Sequence, residues 1–184
     1  MKIGVYVGSF NPVHIGHINN IKYLLDNYLN KVYVVPTMNY WNKNDLIDIK
    51  YRIEMLKYYE NDNIIIDTSN NNLEYTYQVL DYYSKIYNIE DIYLIIGADN
   101  IIDFNKWKNI EELLKYNVIV LGRNNIDIKY YINKYRYNEN KFKIVKFNNI
   151  DISSTTIRND VDNNKEYLGS KVYNYIKGNN LYRR

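Results

Sequence analysis

The chain has 184 residues, no cysteine, and a net charge of +3 from 24 basic and 21 acidic side chains. That length fits one domain that buries roughly 70% of its unfolded surface and needs no disulfide or metal staple. The missing cysteines exclude disulfides, thiolate metal centres and thiol nucleophiles, and the balanced charge leaves no electrostatic footprint of nucleic-acid binding. Hydrophobic residues make up 46% and charged residues 24%, which is a globular composition. Tyrosine occurs 23 times and alanine once, at Ala98. Asn, Ile, Lys and Tyr share A/T-rich codons, so this skew reads as mutational bias, and a single tyrosine is weak evidence for a stacking role. No stretch approaches the ~20 apolar residues of a membrane span. The opening run Met1 to Val7 is too short for a signal-peptide core. The expectation is a cytoplasmic protein that uses neither a membrane nor nucleic acid.

Taken in chain order, short apolar runs alternate with helical patterns. Ile3 to Val7 reads as a buried strand, as do Val32 to Val35, Ile64 to Ile66, Ile92 to Ile96, Val118 to Leu121 and Phe142 to Val145. Ile18, Ile21, Leu24, Leu25 and Tyr28 form a helix stripe. Ile49, Ile53, Leu56 and Tyr59 form a second, and Tyr77, Leu80, Tyr83 and Ile86 a third. Strands alternating with helices imply right-handed crossovers and a mostly parallel α/β sheet. Such sheets bind ligands beyond the carboxyl ends of their strands, so motifs that directly follow strands carry the functional weight. Asn70-Asn71-Asn72 and Asn124-Asn125 read as loop tips. No Pro/Gly/Ser-rich linker and no internal repeat divides the chain.

The first such motif is Gly8-Ser9-Phe10-Asn11-Pro12-Val13-His14-Ile15-Gly16-His17. Gly8 permits a sharp turn after the strand, Pro12 fixes φ in the loop, and a helix should begin near Ile15. The only two histidines of the chain stand here, three residues apart, on one face of the first helical turn. Two imidazoles beside unpaired amides at a positive dipole end form an anion site, suited to stabilising charge on a phosphoryl group. The bland alternative is a pair of capping or core histidines, which leaves the Gly-Ser-Phe-Asn-Pro turn unexplained. Two ligands with no acidic neighbour make a poor metal site. Neither a dinucleotide-binding glycine fingerprint nor a Walker A loop occurs.

The second motif is Ile152-Ser153-Ser154-Thr155-Thr156-Ile157-Arg158. Its hydroxyl residues should cap a helix, and Arg158 adds planar, permanently charged donors toward an anion. Read alone, it is equally a capped helix with a surface arginine.

Together the two motifs resemble the nucleotidyltransferase superfamily, whose class I aminoacyl-tRNA synthetase members carry the same His-Ile-Gly-His signature as His14 to His17. The chain is short for a synthetase and has no Lys-Met-Ser-Lys-Ser-type loop. Along nearly its whole length it resembles the bacterial nicotinate-nucleotide adenylyltransferase family. Tyr75-Thr76 is similar to that family's Ser-Tyr-Thr segment, and Ile96 to Asn100 with Trp107 to its Gly-Ala-Asp segment and downstream tryptophan. Lys43 and Arg52 stand where the family has basic residues. Val172 to Ile176 and Leu181-Tyr182 resemble its C-terminal helix and tail. Phosphopantetheine adenylyltransferases usually carry Thr where this chain has His14, and cytidylyltransferases carry an Arg-Thr pair where it has Phe147-Asn148-Asn149. The chain departs from the family at Trp41-Asn42, Glu74, Gln78, Asn11, Leu168-Gly169 and around Arg123, mostly on the side of the pyridine nucleotide.

The resemblance implies a Rossmann-like, doubly wound parallel sheet of the His-x-Gly-His type. It implies one domain over residues 1–184, with 151–184 as its C-terminal helical part. The implied reaction joins ATP and nicotinate mononucleotide into nicotinate adenine dinucleotide and pyrophosphate, with Mg²⁺ bridging phosphates and no metal-binding side chains assigned. His14, His17 and Arg158 are then the catalytic residues. ATP would be held by Gly8, Ser9, Phe10, His14, His17, Gly97, Asp99, Ile152, Ser153, Ser154, Thr155 and Arg158, with Asp99 on the ribose. The pyridine nucleotide would meet Asn11, Lys43, Tyr75, Thr76, Asn100, Trp107 and Arg123, with Trp107 stacking on the ring. Other readings stay open. Asp99 reads equally as a helix N-cap, Trp107 as a core residue, and Lys43 and Arg52 as solvated helix-face charges. The acceptor could instead be nicotinamide mononucleotide or another phosphate ester, and a non-catalytic nucleotide- or RNA-binding module is a third class. The oligomeric state is open, with a homodimer one option.

Overall fold

A computed structural model of the chain describes residues 1–38, 45–122, 126–147 and 150–183. Among the described residues, six strands form one all-parallel sheet: β1 (Ile3–Gly8), β2 (Lys31–Pro36), β3 (Ile64–Ile66), β4 (Ile92–Gly97), β5 (Asn117–Leu121) and β6 (Phe142–Val145). Their order is β3-β2-β1-β4-β5-β6. Chain direction across the sheet reverses between β1 and β4, so the crevice beyond their carboxyl ends is the switch point of a doubly wound fold.

Among the described residues, eight α-helices connect the strands or follow the last: α1 (Ile15–Asn27), α2 (Ile49–Lys57), α3 (Thr76–Ser84), α4 (Ala98–Ile102), α5 (Ile110–Leu113), α6 (Ile128–Lys134), α7 (Ser154–Asn159) and α8 (Ser170–Gly178). The period of two along the strands sends alternate side chains to opposite faces. Val32, Val34, Ile95 and Ile119 join the core under α1, α2 and α8, while Val35, Leu94, Ile96, Val118 and Val120 join the core under α3 to α6. All six apolar runs read from the sequence are strands, because strands buried on both faces are apolar throughout.

The helix phases agree less uniformly. α1 buries Ile18, Ile21 and Leu24 as its stripe requires. α2 instead turns Arg52, Met55 and Leu56 inward and leaves Ile49 and Ile53 half-buried. α3 ends at Ser84, so Ile86 lies beyond the stripe and is 58% exposed. Asn70, expected at a loop tip, is buried; Asn124-Asn125 lies outside the described residues.

Candidate active site

β1 delivers Gly8 to the switch point, and the loop after it is fixed from below by an unexpected residue. Arg52 is 1% exposed. Its Nη1 donates to the Ser9 carbonyl at 2.7 Å, Nη2 to the Thr37 carbonyl at 2.7 Å and Nε to the Ile47 carbonyl at 3.1 Å. One guanidinium thus ties the β1 loop, the end of β2 and the approach to α2. Burial holds its pKa below the ordinary arginine value, against the opposing pull of Tyr182 and Asp48. The solvated helix-face charge that the sequence offers for Arg52 does not describe this geometry. A planar five-donor group suits converging carbonyls better than water does once the loops close over it.

Phe10 takes φ 45° and buries its ring edge-on against Tyr6 and His17, with centroids 5.3 and 5.2 Å apart. Its side chain therefore belongs to the core and supports His17 from the side. His14 is the N-cap of α1 and is 3% exposed. Its backbone N–H donates to His17 Nδ1 at 3.2 Å. With Nδ1 accepting, the neutral His17 ring carries its proton on Nε2, a donor for a phosphoryl oxygen. The two imidazoles lie face to face, centroids 3.7 Å apart and tilted by 31°. Gly16 permits this: a Cβ there would stand 3.0 Å from the His14 ring and 3.3 Å from Ile152.

That closeness to Ile152 is where the second motif docks. Ser153 caps α7, its Oγ accepting the Thr156 N–H at 3.1 Å. Ser154 Oγ donates to the Pro12 carbonyl at 2.9 Å. Arg158 donates through Nη1 to the Asn11 carbonyl at 2.7 Å and through Nη2 to Thr155 Oγ1 at 3.2 Å. Two of its five N–H donors are so occupied, and it remains half-exposed. The Ser153 and Ser154 hydroxyls are thus spent on the protein itself, which leaves the first-turn amides of α7 and the remaining Arg158 donors for an anion. Ile152 is a core residue packed behind Gly16.

Asn11 departs most from expectation. It is 5% exposed. Its Nδ2 donates to the Asp45 carbonyl at 2.8 Å, and its Oδ1 accepts the Tyr182 hydroxyl at 2.8 Å. Both polar ends of the amide are committed, so Asn11 serves as a tie between loops rather than as a group presented to the pyridine nucleotide.

On the other side of the crevice lies a cavity of about 350 Å³. Gly8, Ser9, Thr37, Asn70, Glu74, Tyr75, Thr76, Lys106, Trp107 and Lys108 line it, with Val7, Val35, Leu73, Val79 and Leu113 among its apolar walls. Tyr75 caps α3, and its N–H donates to Gln78 Oε1 at 3.0 Å. Trp107 is half-buried, braced edge-on by the fully buried Phe104 at 5.1 Å, so it is at once a packed residue and a cavity wall. Gly97 is the N-cap of α4, which puts Asp99 inside the helix's first turn instead of at the cap expected for it. Asp99 and Asn100 are exposed at the carboxyl end of β4 and outside this cavity's lining. Lys43 and Arg123 lie outside the described residues.

The cavity wall also has an anchor that the sequence did not advertise. Asp67 follows β3 and is buried. It accepts from the Ser69 amide and hydroxyl at 2.8 and 2.6 Å, from Asn70 Nδ2 at 2.6 Å and from the Tyr83 hydroxyl. Burial alone would raise its pKa, but the hydrogen bonds from Asn70, Ser69 and Tyr83 outweigh that and hold the carboxyl below its ordinary value. The Asp-x-Ser-Asn string directly after a strand was the available signal, an Asx-type turn at a strand end. Among the described residues, no three His, Asp or Glu side chains gather as a metal site, and no helix is long and apolar enough to cross a membrane.

Known proteins share this architecture. The cytidylyltransferase-like family model matches residues 5–160. A relative from Caldicellulosiruptor bescii, named a probable nicotinate-nucleotide adenylyltransferase, is 37% identical over 100% of both chains. One of the same name from Carboxydothermus hydrogenoformans is 31% identical over 99% of this chain and 98% of its own. Among solved structures, nicotinic acid mononucleotide adenylyltransferase of Plasmodium falciparum complexed with NaAD superposes with a TM-score of 0.80 at 21% identity, covering 98% of this chain and 97% of that one. At that identity the likeness speaks for the fold.

Proposed function

The chain belongs to the nicotinate-nucleotide adenylyltransferases within the cytidylyltransferase-like family, and we propose that it transfers the adenylyl group of ATP to nicotinate mononucleotide, releasing pyrophosphate. The observation that carries the residue roles is the docking of α7 onto the β1 loop. Arg158 and α7 are thereby tied to the loop that leads into the paired histidines and whose first residues, Gly8 and Ser9, line the cavity.

The acceptor phosphate is already ionised at neutral pH, so the chemistry needs alignment and charge stabilisation more than a general base. His17, with its Nε2 proton directed by the His14 amide, donates to the α-phosphate as negative charge grows there, and His14 stacks beside it. Arg158 and the first-turn amides of Ser154 and Thr155 receive the departing pyrophosphate. Gly8 and Ser9 lie between the phosphate site and the cavity, where backbone can approach the substrate closely. Asp99 stands for the ATP ribose and Asn100 for the neighbouring nucleotide. Trp107 offers a face to the pyridine ring, and Tyr75 and Thr76 at the start of α3 offer amides to its carboxylate. Lys108 and Glu74 line the cavity together with Lys106, whose ammonium is paired with Asp103 at 2.6 Å. Among the described residues no three His, Asp or Glu side chains gather to hold a metal, so Mg²⁺ would come in on ATP without a dedicated side-chain cage. Bound there, it would neutralise phosphate charge. We read the protein as a cytoplasmic enzyme whose partners are its two substrates.

The test is pyrophosphate release with MgATP, comparing nicotinate with nicotinamide mononucleotide. A preference for the acid of about tenfold or more, a gap of ~1.4 kcal/mol, supports the reading. Equal rates assign a dual-specificity pocket, and release with neither acceptor sinks it.

A further inference from the structure

The C-terminal tail returns to the loop after β1. After α8 the chain turns back: the Leu181 N–H donates to the Ile176 carbonyl at 3.0 Å, between Asn180 at φ 54° and Tyr182 at φ 57°. Asparagine tolerates this left-handed region, whereas a tyrosine there is an outlier that persists only when its surroundings over-determine it. What holds Tyr182 is the phosphate loop, 171 residues away in sequence, through the bond from its hydroxyl to Asn11 Oδ1 at 2.8 Å. Asn11 is the same residue whose carbonyl accepts Arg158 at 2.7 Å and whose Nδ2 donates to the Asp45 carbonyl at 2.8 Å. One buried amide residue therefore joins the tail, the arginine of α7 and the segment leading into α2.

Resting on the adenylyl-transfer reading, we infer that Tyr182 is a positioning residue for the phosphate site: through Asn11 it fixes the loop carbonyl that sets the direction of the Arg158 guanidinium. The phenol suits this task. Burial raises its pKa despite the pull of Arg158 and Arg52 in the opposite direction, so it remains a protonated donor. The aromatic ring fills the space beside the loop, while the hydroxyl supplies the directional contact. Ring and hydroxyl can thus be separated by experiment.

Tyr182→Phe retains the ring and removes the hydroxyl. The expected result is a fall in kcat of about three- to tenfold, the scale of one hydrogen bond, with the KM for the mononucleotide nearly unchanged. Pyrophosphate, the group that Arg158 receives, should inhibit the variant more weakly by a similar factor. In an Asn11→Ala background the same change should cost nothing further, because Asn11→Ala already removes the bond that Tyr182→Phe breaks. Wild-type kcat and wild-type pyrophosphate inhibition in Tyr182→Phe overturn the inference, even if the melting temperature falls, and so do additive losses in the double variant. Direct titration of inorganic pyrophosphate into both proteins separates this idea from the functional reading. Weaker binding to the variant supports the tail's role even in a protein that turns over neither mononucleotide, and equal binding counts against the tail alone.

Discussion

The two halves of the crevice are built differently. The side proposed for the phosphates is assembled from backbone carbonyls gathered by polar side chains: Arg52 collects those of Ser9, Thr37 and Ile47, Arg158 that of Asn11, and Ser154 that of Pro12. The cavity side is assembled from packing, with Trp107 braced by Phe104 and the Asn70 wall pinned to one carboxylate, Asp67. Charge stabilisation loses its value if donors must reorganise during the reaction, so the phosphate side is rigid and directional. An aromatic cavity holds a flat ring by area and shape, which tolerates variation in its members. The departure from the family pattern at Glu74 falls on the cavity side.

Substitutions should separate the two sides. His17→Ala should lower kcat by at least ~10²-fold, the scale of one transition-state donor, with the circular dichroism spectrum unchanged; near-normal turnover would remove His17 from the mechanism. Arg52→Met should strike activity and stability together. Three partly buried carbonyls lose their donor, which costs about 3 kcal/mol, and a thermal melt should show a drop of roughly 6–12 °C. A melt within a degree or two of wild type would show that water replaces the guanidinium.

Trp107→Ala should act on one substrate. The KM for the mononucleotide should rise up to about tenfold, the worth of a stacked ring, while that for ATP stays close to wild type. An equal rise in both would make Trp107 a packing residue only. The smallest effect is expected for Asp67→Asn, which weakens the bonds to Ser69 and Tyr83 and should cost about 1–2 kcal/mol. Here pH gives the sign. The folded-state pKa of Asp67 is depressed below its ordinary 3.8, so its contribution is complete above that value and is lost as pH falls through the folded-state pKa. Acid titration of stability should therefore be shallower below pH ~4 in the variant than in wild type. Parallel acid limbs would refute the assignment.

Much of this molecule was legible in one dimension. The six strands announced themselves because a sheet covered on both faces demands unbroken apolar runs. The two motifs stood out because each places several scarce or directional residue types in a row directly after or before a regular element. Arg52 was misread because its helix offers two competing stripes, and the inward phase is chosen by carbonyls from β1, β2 and the α2 approach that no local pattern contains. Asn70 lies in a loop as its neighbours suggest, but its burial depends on Asp67, which also takes the Tyr83 hydroxyl from another element.

By itself, then, the sequence determined the alternation of strands and helices, the switch-point motif with its paired histidines, and the family, since these follow from periodicity and from residues adjacent in the chain. Tertiary structure alone decided that Asn11 faces Asp45 and Tyr182, that Arg52 lies beneath the loop, and that the tail returns to the site. Those contacts join segments up to 171 residues apart, and a buried polar group takes whichever partner the closed fold brings within hydrogen-bonding distance.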